Sequence, residues 1–116
     1  MAIQRIESGK RMSMAVVHGD MVFLAGQVSR NRAGGSVAEQ TGDILGIIDG
    51  LLAKAGTDKT KLLSANIWLA DISTFDEMNQ VWDAWVADGC APARATVEAR
   101  LANPQYKVEI AVTAGK

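Results

Sequence analysis

Two strand-like runs near the C-terminus place charged side chains at alternate positions, and this pattern constrains the fold more than any other feature of the chain. The first run, residues 96–101, sends three apolar side chains to one face of a strand: Val97, Ala99 and Leu101. Its other face carries polar side chains, namely Arg94, Thr96, Glu98 and Arg100. The second run, residues 107–113, has the same alternation, with Glu109 on its polar face. These runs predict two adjacent strands with one apolar face toward a core and one charged face free for function.

If the two strands pair as a hairpin, their charges limit the register. Glu98 opposite Lys107 is favourable, and so is Arg100 opposite Glu109. The register between these two sets Glu98 against Glu109, and repulsion between like charges disfavours it. The sequence leaves both favourable registers open.

Four further patterns complete a single α+β domain that spans residues 1–116. Residues 16–25 are typical of two short strands around a tight turn. Apolar residues recur at helical spacing in 44–55 and again in 75–86, which predicts two helices. Alternation in 63–69 predicts a strand between them. The order of elements favours a mixed β-sheet with both helices packed on one face.

The second face of this sheet predicts self-association, because two helices cannot cover both faces. Phe23 and Leu24 are neighbours in one predicted strand, so their side chains point to opposite faces. Trp68 likewise points away from the face of Ile67. Uncovered apolar area of this kind favours burial against another copy of the chain. We therefore expect an oligomer.

Charge and composition argue against several classes of function. The formal net charge of −1 provides no field that would attract nucleic acid or an anionic membrane. The start of the chain lacks the apolar run of a signal peptide, no stretch is long enough to span a bilayer, and Cys90 is the single cysteine. These features predict the reducing cytoplasm as the location. With His18 as the single histidine, a zinc site lacks good ligands, and no nucleophile motif accompanies His18 for a Ser-His-Asp site.

Arg94 is the strongest candidate for a binding residue. Pro92 and Ala93 keep its surroundings small, and the predicted strand after it fixes the backbone. A planar guanidinium with a permanent charge can bind a small carboxylate through two parallel hydrogen bonds. The alternative interpretation of the same residue is a surface arginine or a structural ion pair.

Five segments, in this order and at this spacing, resemble the RidA/YjgF family. They are Ala25-Gly26-Gln27, Glu39-Gln40-Thr41, Met78-Asn79, Pro92-Ala93-Arg94-Ala95 and Val108-Glu109-Ile110. The resemblance covers residues 12–113, and three longer segments are similar to the small YoaB-type branch: 67–71, 82–86 and 103–107. It implies a chorismate-mutase-like fold and a homotrimer whose small-molecule clefts lie between subunits.

The resemblance also implies an activity, the hydrolysis of reactive enamines and imines such as 2-aminoacrylate and 2-iminopropanoate to 2-keto acids and ammonia. Arg94 matches the carboxylate-binding arginine of the family, and Glu109 matches the glutamate that directs the attacking water. The substrate-binding residues implied beside Arg94 are Thr96, Met12, Ala25 and Gly26. No cofactor or metal is expected, because the substrate is already activated. The expected partners are a 2-imino or 2-keto acid and further copies of the chain, with no nucleic acid and no membrane.

Four positions depart from the family pattern. Met12 stands where many members have a tyrosine, and Ala25 stands where a serine is common. Thr96 replaces a frequent cysteine, and Ala111 replaces the second glutamate of the last motif. These changes alter the shape and hydrogen bonding of the implied cleft, so the resemblance does not identify the preferred substrate.

Two other functions remain as alternatives. The first is a trimer without catalytic activity that binds a small carboxylate, or that acts as a regulator or chaperone, with Arg94 as the ligand clamp. The second is the RNA cleavage attributed to some relatives. The nearly neutral charge and the lack of a basic stripe or a catalytic histidine argue against RNA cleavage.

Overall fold

The computed structural model describes residues 2–116, and over this range it forms one six-stranded sheet with two α-helices. The strands are β1 (Ile3–Ser8), β2 (Ser13–His18), β3 (Met21–Leu24), β4 (Leu62–Leu69), β5 (Ala93–Glu98) and β6 (Val108–Gly115). The helices are α1 (Val37–Lys54) and α2 (Phe75–Trp85), with short 3-10 turns at Lys59–Lys61 and Ile72–Thr74. The predicted α+β class, with a mixed sheet and two helices, is confirmed.

Strand β1 is the element that the sequence patterns missed. It forms one edge of the sheet and pairs with β2 alone. Only Ile6 in this strand is partly buried, and its other residues are exposed. An edge strand with solvent on both faces has no alternation of apolar and polar residues for a pattern search to find.

The expected hairpin between the last two strands is wrong, because β4 lies between them. The strand order is β1-β2-β3-β6-β4-β5, and only β4 and β5 run parallel. Ile67 of β4 is therefore flanked by Thr96 on one side and by Ile110 on the other. A parallel pair needs a crossover connection, and α2 supplies it between β4 and β5. Neither of the two charge registers is formed.

The core lies between the helices and one face of the sheet. Strand β6 alternates as predicted, with four buried residues on the helix side: Val108, Ile110, Val112 and Ala114. Helix α1 contributes its largest fully buried side chains to the same core, namely Ile44, Leu45, Ile48 and Leu52. Met78 and Trp82 are the buried residues of α2. Both helices therefore cover the same face of the sheet, as predicted.

In β5 the side chains predicted for the core lie on the open face, and those predicted for the open face lie on the core side. Arg94 pairs with Ala65, which is buried, so Arg94 shares the face that the helices cover. Val97 was expected in the core, but it pairs with Trp68 and is 50% exposed on the open face. The reason is that β5 is an edge strand beside α2, where aromatic rings of the helix meet the polar side chains of the strand.

The open face of the sheet carries the apolar residues that the sequence placed there. Phe23 is 45% exposed, whereas its neighbour Leu24 is buried. Ile67 is buried as well, while Trp68 lies on the opposite face. Within residues 2–116 neither helix is long and apolar enough to cross a membrane. The exposed apolar area keeps self-association as our expectation.

Candidate functional site

The guanidinium of Arg94 lies against two aromatic rings of α2. Its Cζ is 5.7 Å from the centre of the Phe75 ring and 5.4 Å from the centre of the Trp82 ring. Both distances are within the range of a cation–π interaction. In the described part of the chain the one ion pair joins Lys54 to Glu7, so Arg94 has no carboxylate partner there. The structure therefore does not support an ion-pair role for Arg94 within the chain.

Two buried oxygen atoms on the elements that hold Arg94 have no hydrogen-bond partner among residues 2–116. They are Thr96 Oγ1 and Asn79 Oδ1. Thr96 lies two residues along β5 on the same face as Arg94, and Asn79 lies on α2 between Phe75 and Trp82. Burying such a group without a partner costs about 1–3 kcal/mol. Unpaired polar atoms on the strand and the helix that hold an unpaired arginine are typical of a site that a ligand or a second chain completes.

Glu109 lies on the open face of the sheet, against Gly26. Two backbone hydrogen bonds join residue 27 to β6, from Gln27 N to Ile110 O at 2.8 Å and from Ile110 N to Gln27 O at 3.0 Å. This bridge brings the chain after β3 beside Glu109. A Cβ atom on residue 26 would overlap Glu109 Oε2 and lie 3.1 Å from Glu109 Cδ. A larger residue at position 26 would therefore push the Glu109 carboxylate away from its present position.

Met12 and Ala25 lie just outside two neighbouring strands, β2 and β3. Ala25 continues β3, and its N–H donates to the carbonyl of Met14 at 2.9 Å. Met12 comes directly before β2 and is exposed. The buried side chain of Gln27 donates from Nε2 to the carbonyl of Ala25 at 3.0 Å. These contacts hold the segment that carries Gly26 in place beside Glu109.

Asp43 of α1 fixes the loop that follows Gln27. Its Oδ2 accepts hydrogen bonds from Ser29 Oγ at 2.6 Å, from Arg30 N at 2.9 Å and from Asn31 N at 2.9 Å. The bond from Ser29 and those from Asn31 and Arg30 hold the pKa of Asp43 below its usual value, because they stabilise the charged carboxylate. The loop beside the Glu109 region is thus attached to the helix layer.

The sheet separates Arg94 from Glu109. Arg94 pairs with Ala65 of β4, and Glu109 pairs with Trp68, three residues further along the same strand. Successive side chains of a strand point to opposite faces, so Arg94 lies on the helix-covered face and Glu109 on the open face. Their backbones are about 10 Å apart across the strands and about 10 Å apart along them. The single charged face that the sequence predicted for both residues does not exist in one chain.

The structure thus divides the predicted residues into two groups. The first group is Arg94 with Thr96 on β5, and the second is Glu109 with Ala25 and Gly26, whereas Met12 comes before β2, which β3 separates from the strand of Glu109. No group of metal-ligating side chains occurs within residues 2–116. Both groups consist of hydrogen-bonding and apolar residues suited to a small organic ligand.

Sequence reasoning missed three residues of the Arg94 group. The helical spacing of apolar residues in 75–86 accounts for Phe75 and Trp82 as core residues, and Asn79 occurs in the sequence only within the motif Met78-Asn79. The available signal was their spacing, because residues four and three positions apart share one face of a helix. An amide between two aromatic residues on such a face indicates more than a hydrophobic core.

If Glu109 directs the attacking water, as the family resemblance implies, Gly26→Ala is expected to lower kcat by up to about 100-fold, because the new methyl group displaces the Glu109 carboxylate and small misplacements are costly in catalysis. Gly50→Ala is the matched control, since Gly50 is an exposed residue of α1 with open space around its added Cβ. Steady-state kinetics of imine hydrolysis measure both variants. A Gly26→Ala protein with normal turnover would show that the position of Glu109 is unimportant.

Comparison with known proteins identifies the family. The model of the family described as Endoribonuclease L-PSP matches residues 2–116. A RutC family protein of Haemophilus influenzae is 46% identical over 98% of both chains, and the RutC family protein YoaB of Escherichia coli K12 is 45% identical over 98% of both. The crystal structure of a YjgF family member from Neisseria meningitidis has a TM-score of 0.96 and 49% identity, covering 100% of this chain and 96% of that one. The chain belongs to this family of RutC and YjgF proteins, as its five motifs indicated.

Proposed function

We propose that this protein hydrolyses reactive enamines and imines, of the 2-aminoacrylate and 2-iminopropanoate type, to 2-keto acids and ammonia. The observation that carries the proposal is Arg94, a half-buried arginine on the helix-covered face that has no carboxylate partner in the described chain, with two unpaired buried oxygen atoms on the same strand and on the helix whose rings it contacts. Such a group is suited to bind the carboxylate of a small 2-imino acid. Membership of the RutC and YjgF family supports the proposal.

We propose further that the site forms between chains of a homotrimer. Arg94 and Glu109 lie on opposite faces of one sheet, so a single small molecule cannot contact both in one chain. In a cyclic assembly the edge of one chain that carries β5 can approach the open face of the next chain. Each contact then joins the Arg94 group of one chain to the Glu109 group of another. The exposed apolar residues of the open face, such as Phe23, support this assembly.

In this mechanism Arg94 binds the substrate carboxylate through two hydrogen bonds and orients the C=N carbon. Glu109 accepts a proton from a water molecule while the water oxygen bonds to that carbon. Glu109 returns this proton to the nitrogen, which gives a tetrahedral carbinolamine. The hydroxyl proton of this intermediate then passes to the nitrogen as the C–N bond breaks and the C=O bond forms, so that ammonia and the 2-keto acid leave. Backbone groups near Thr96 stabilise the developing amine, and Met12 and Ala25 line the cleft beside Glu109. The reaction needs no cofactor, and the cytoplasm is the proposed location.

The direct test of this activity uses imines that an amino-acid oxidase generates in situ. Semicarbazide traps the imine that remains, so an active protein lowers the semicarbazone signal and raises the rate of ketoacid formation. We expect this result with imines from several amino acids, and the order of preference will show the effect of Met12 and Ala25. A folded protein that hydrolyses none of these imines would contradict the proposal.

That negative result would favour a second candidate, a trimer that binds small carboxylates without turnover. One observation supports this candidate: Arg94 has no carboxylate partner in the described chain and lies on the opposite face of the sheet from Glu109, so it can bind an anion without that residue. RNA cleavage, the activity in the name of the matching family model, has less support. The net charge of −1 and the position of His18 at an exposed strand end provide neither a basic surface nor a base within a cleft.

Thr96→Val is expected to raise the free energy of unfolding by about 1 kcal/mol, because it replaces a buried hydroxyl that lacks a partner with a methyl group of the same shape. Under the proposal it also weakens binding of 2-ketobutyrate severalfold, since the ligand loses a polar contact. Denaturant unfolding and calorimetric titration measure the two effects. Lower stability together with normal binding would show that the hydroxyl is bonded within the assembled protein and serves structure alone.

A further inference from the structure

We propose that Phe75 and Trp82 are positioning residues that together form a clamp: their rings contact the Arg94 guanidinium and leave its N–H edge for the carboxylate of the ligand. This inference rests on the proposed role of Arg94 in binding the substrate. It gives a function to two aromatic residues that would otherwise be interpreted as part of the hydrophobic core.

The geometry places the guanidinium against both rings. Phe75 and Trp82 are seven residues apart on α2, which is two helical turns, so their Cα atoms are about 10 Å apart on one face of the helix. The Cζ atom of Arg94 is 5.7 Å from one ring centre and 5.4 Å from the other. The Arg94 guanidinium therefore contacts both rings of this helix face at the same time.

Trp82 forms the back of this clamp, on the side of the core, and its ring is held firmly in place. Trp82 is 4% exposed and packs against Trp85, with ring centres 5.4 Å apart. The indole N–H of Trp85 donates to Asp49 Oδ2 on α1 at 3.0 Å. The position of the Trp82 ring is thus fixed by contacts that reach the other helix. Phe75 begins α2 and is 37% exposed, so it forms the front of the clamp.

Holding the arginine with rings keeps its charge available for a ligand. A carboxylate would also orient a guanidinium, but it would occupy the N–H groups that bind the substrate. An aromatic ring interacts with the cation and leaves its N–H edge without a hydrogen-bond acceptor. The absence of an ion pair at Arg94 in residues 2–116 agrees with this division of roles.

Phe75 provides the test, because its exposure lets the ring be removed without opening the core. Phe75→Leu keeps an apolar side chain but removes the ring, and Phe75→Tyr keeps the ring. Ile72→Leu is the matched control, since Ile72 is 44% exposed just before α2 and is not one of the ring contacts of Arg94. Each variant is compared with the wild type and with Arg94→Ala for binding of 2-ketobutyrate, for kcat and KM, and for the NMR chemical shifts of the Arg94 side chain.

We expect Phe75→Leu to raise the Kd for 2-ketobutyrate and the KM about fivefold at unchanged kcat and Tm, and to remove the ring-current shift of Arg94. Phe75→Tyr and Ile72→Leu should behave as the wild type. Normal binding in Phe75→Leu, or equal losses in Phe75→Leu and Phe75→Tyr, would overturn the clamp while leaving the role of Arg94 intact. Unchanged binding in Arg94→Ala would overturn the role of Arg94 in the proposed function and the clamp together.

Discussion

Arg94→Ala is expected to lower kcat/KM for imine hydrolysis by about 10³-fold, and to weaken 2-ketobutyrate binding to a similar degree. The substitution removes the charged fork that binds the carboxylate, and losing a charge-assisted pair in a partly buried site costs several kcal/mol. Assembly and thermal stability should change little, because Arg94 contacts two aromatic rings and forms no ion pair within residues 2–116. Ketoacid formation, calorimetric titration and light scattering measure these three properties.

Two further variants make the Arg94 experiment specific. Arg100→Ala removes an exposed arginine just beyond β5 and should leave activity unchanged. Arg94→Lys keeps the charge but loses the planar fork, so we expect an intermediate loss. An Arg94→Ala protein as active as the wild type would place the site elsewhere in the molecule.

Glu109→Gln is expected to lower kcat by about 10³-fold while binding of 2-ketobutyrate stays near normal. Glutamine has the shape of glutamate and fits the space beside Gly26, but it cannot accept the proton of the attacking water. Measuring kcat together with the Kd for the product separates catalysis from binding. Glu98→Gln is the control carboxylate, since Glu98 is exposed and accepts a hydrogen bond from the backbone of Ile72.

A parallel loss of binding and turnover in Glu109→Gln would instead give Glu109 a structural role. The combination of a binding defect in Arg94→Ala and a purely catalytic defect in Glu109→Gln is what a hydrolase with divided roles requires. A binding protein would respond to the first substitution and not to the second.

Local patterns in the sequence predicted the elements that bury one face. The helical spacing of Ile44, Ile48 and Leu52 identified α1, and the alternation of Val108 and Ile110 gave the correct buried face of β6. These predictions succeed because burial on one side imposes a period on the sequence. Strand β1 has no buried side, so it imposes no such period.

Strand order and facing could not be predicted in the same way, because they depend on distant parts of the chain. Two strands that follow each other in the chain suggest a hairpin, but in the sheet β4 lies between β5 and β6. The α2 crossover carries the chain from β4 to β5 on the side of β4 away from β6. This arrangement, together with the aromatic residues of α2, decides that Arg94 faces the helices. The family motifs identified Arg94 and Glu109 as candidates, but only the sheet registers show that they lie on opposite faces.

Mixed trimers test most directly the central claim, a hydrolytic site shared between two chains. Arg94→Ala and Glu109→Gln chains with different affinity tags are expressed together, and two successive purifications isolate assemblies that contain both. Each cleft of a cyclic trimer combines Arg94 of one chain with Glu109 of the next, so every trimer that contains both variants has a single cleft with both residues intact. We therefore predict that mixed trimers form ketoacid at about one third of the wild-type rate, although both parent proteins are nearly inactive. Purified mixed trimers as inactive as their parents would contradict a site built from two chains.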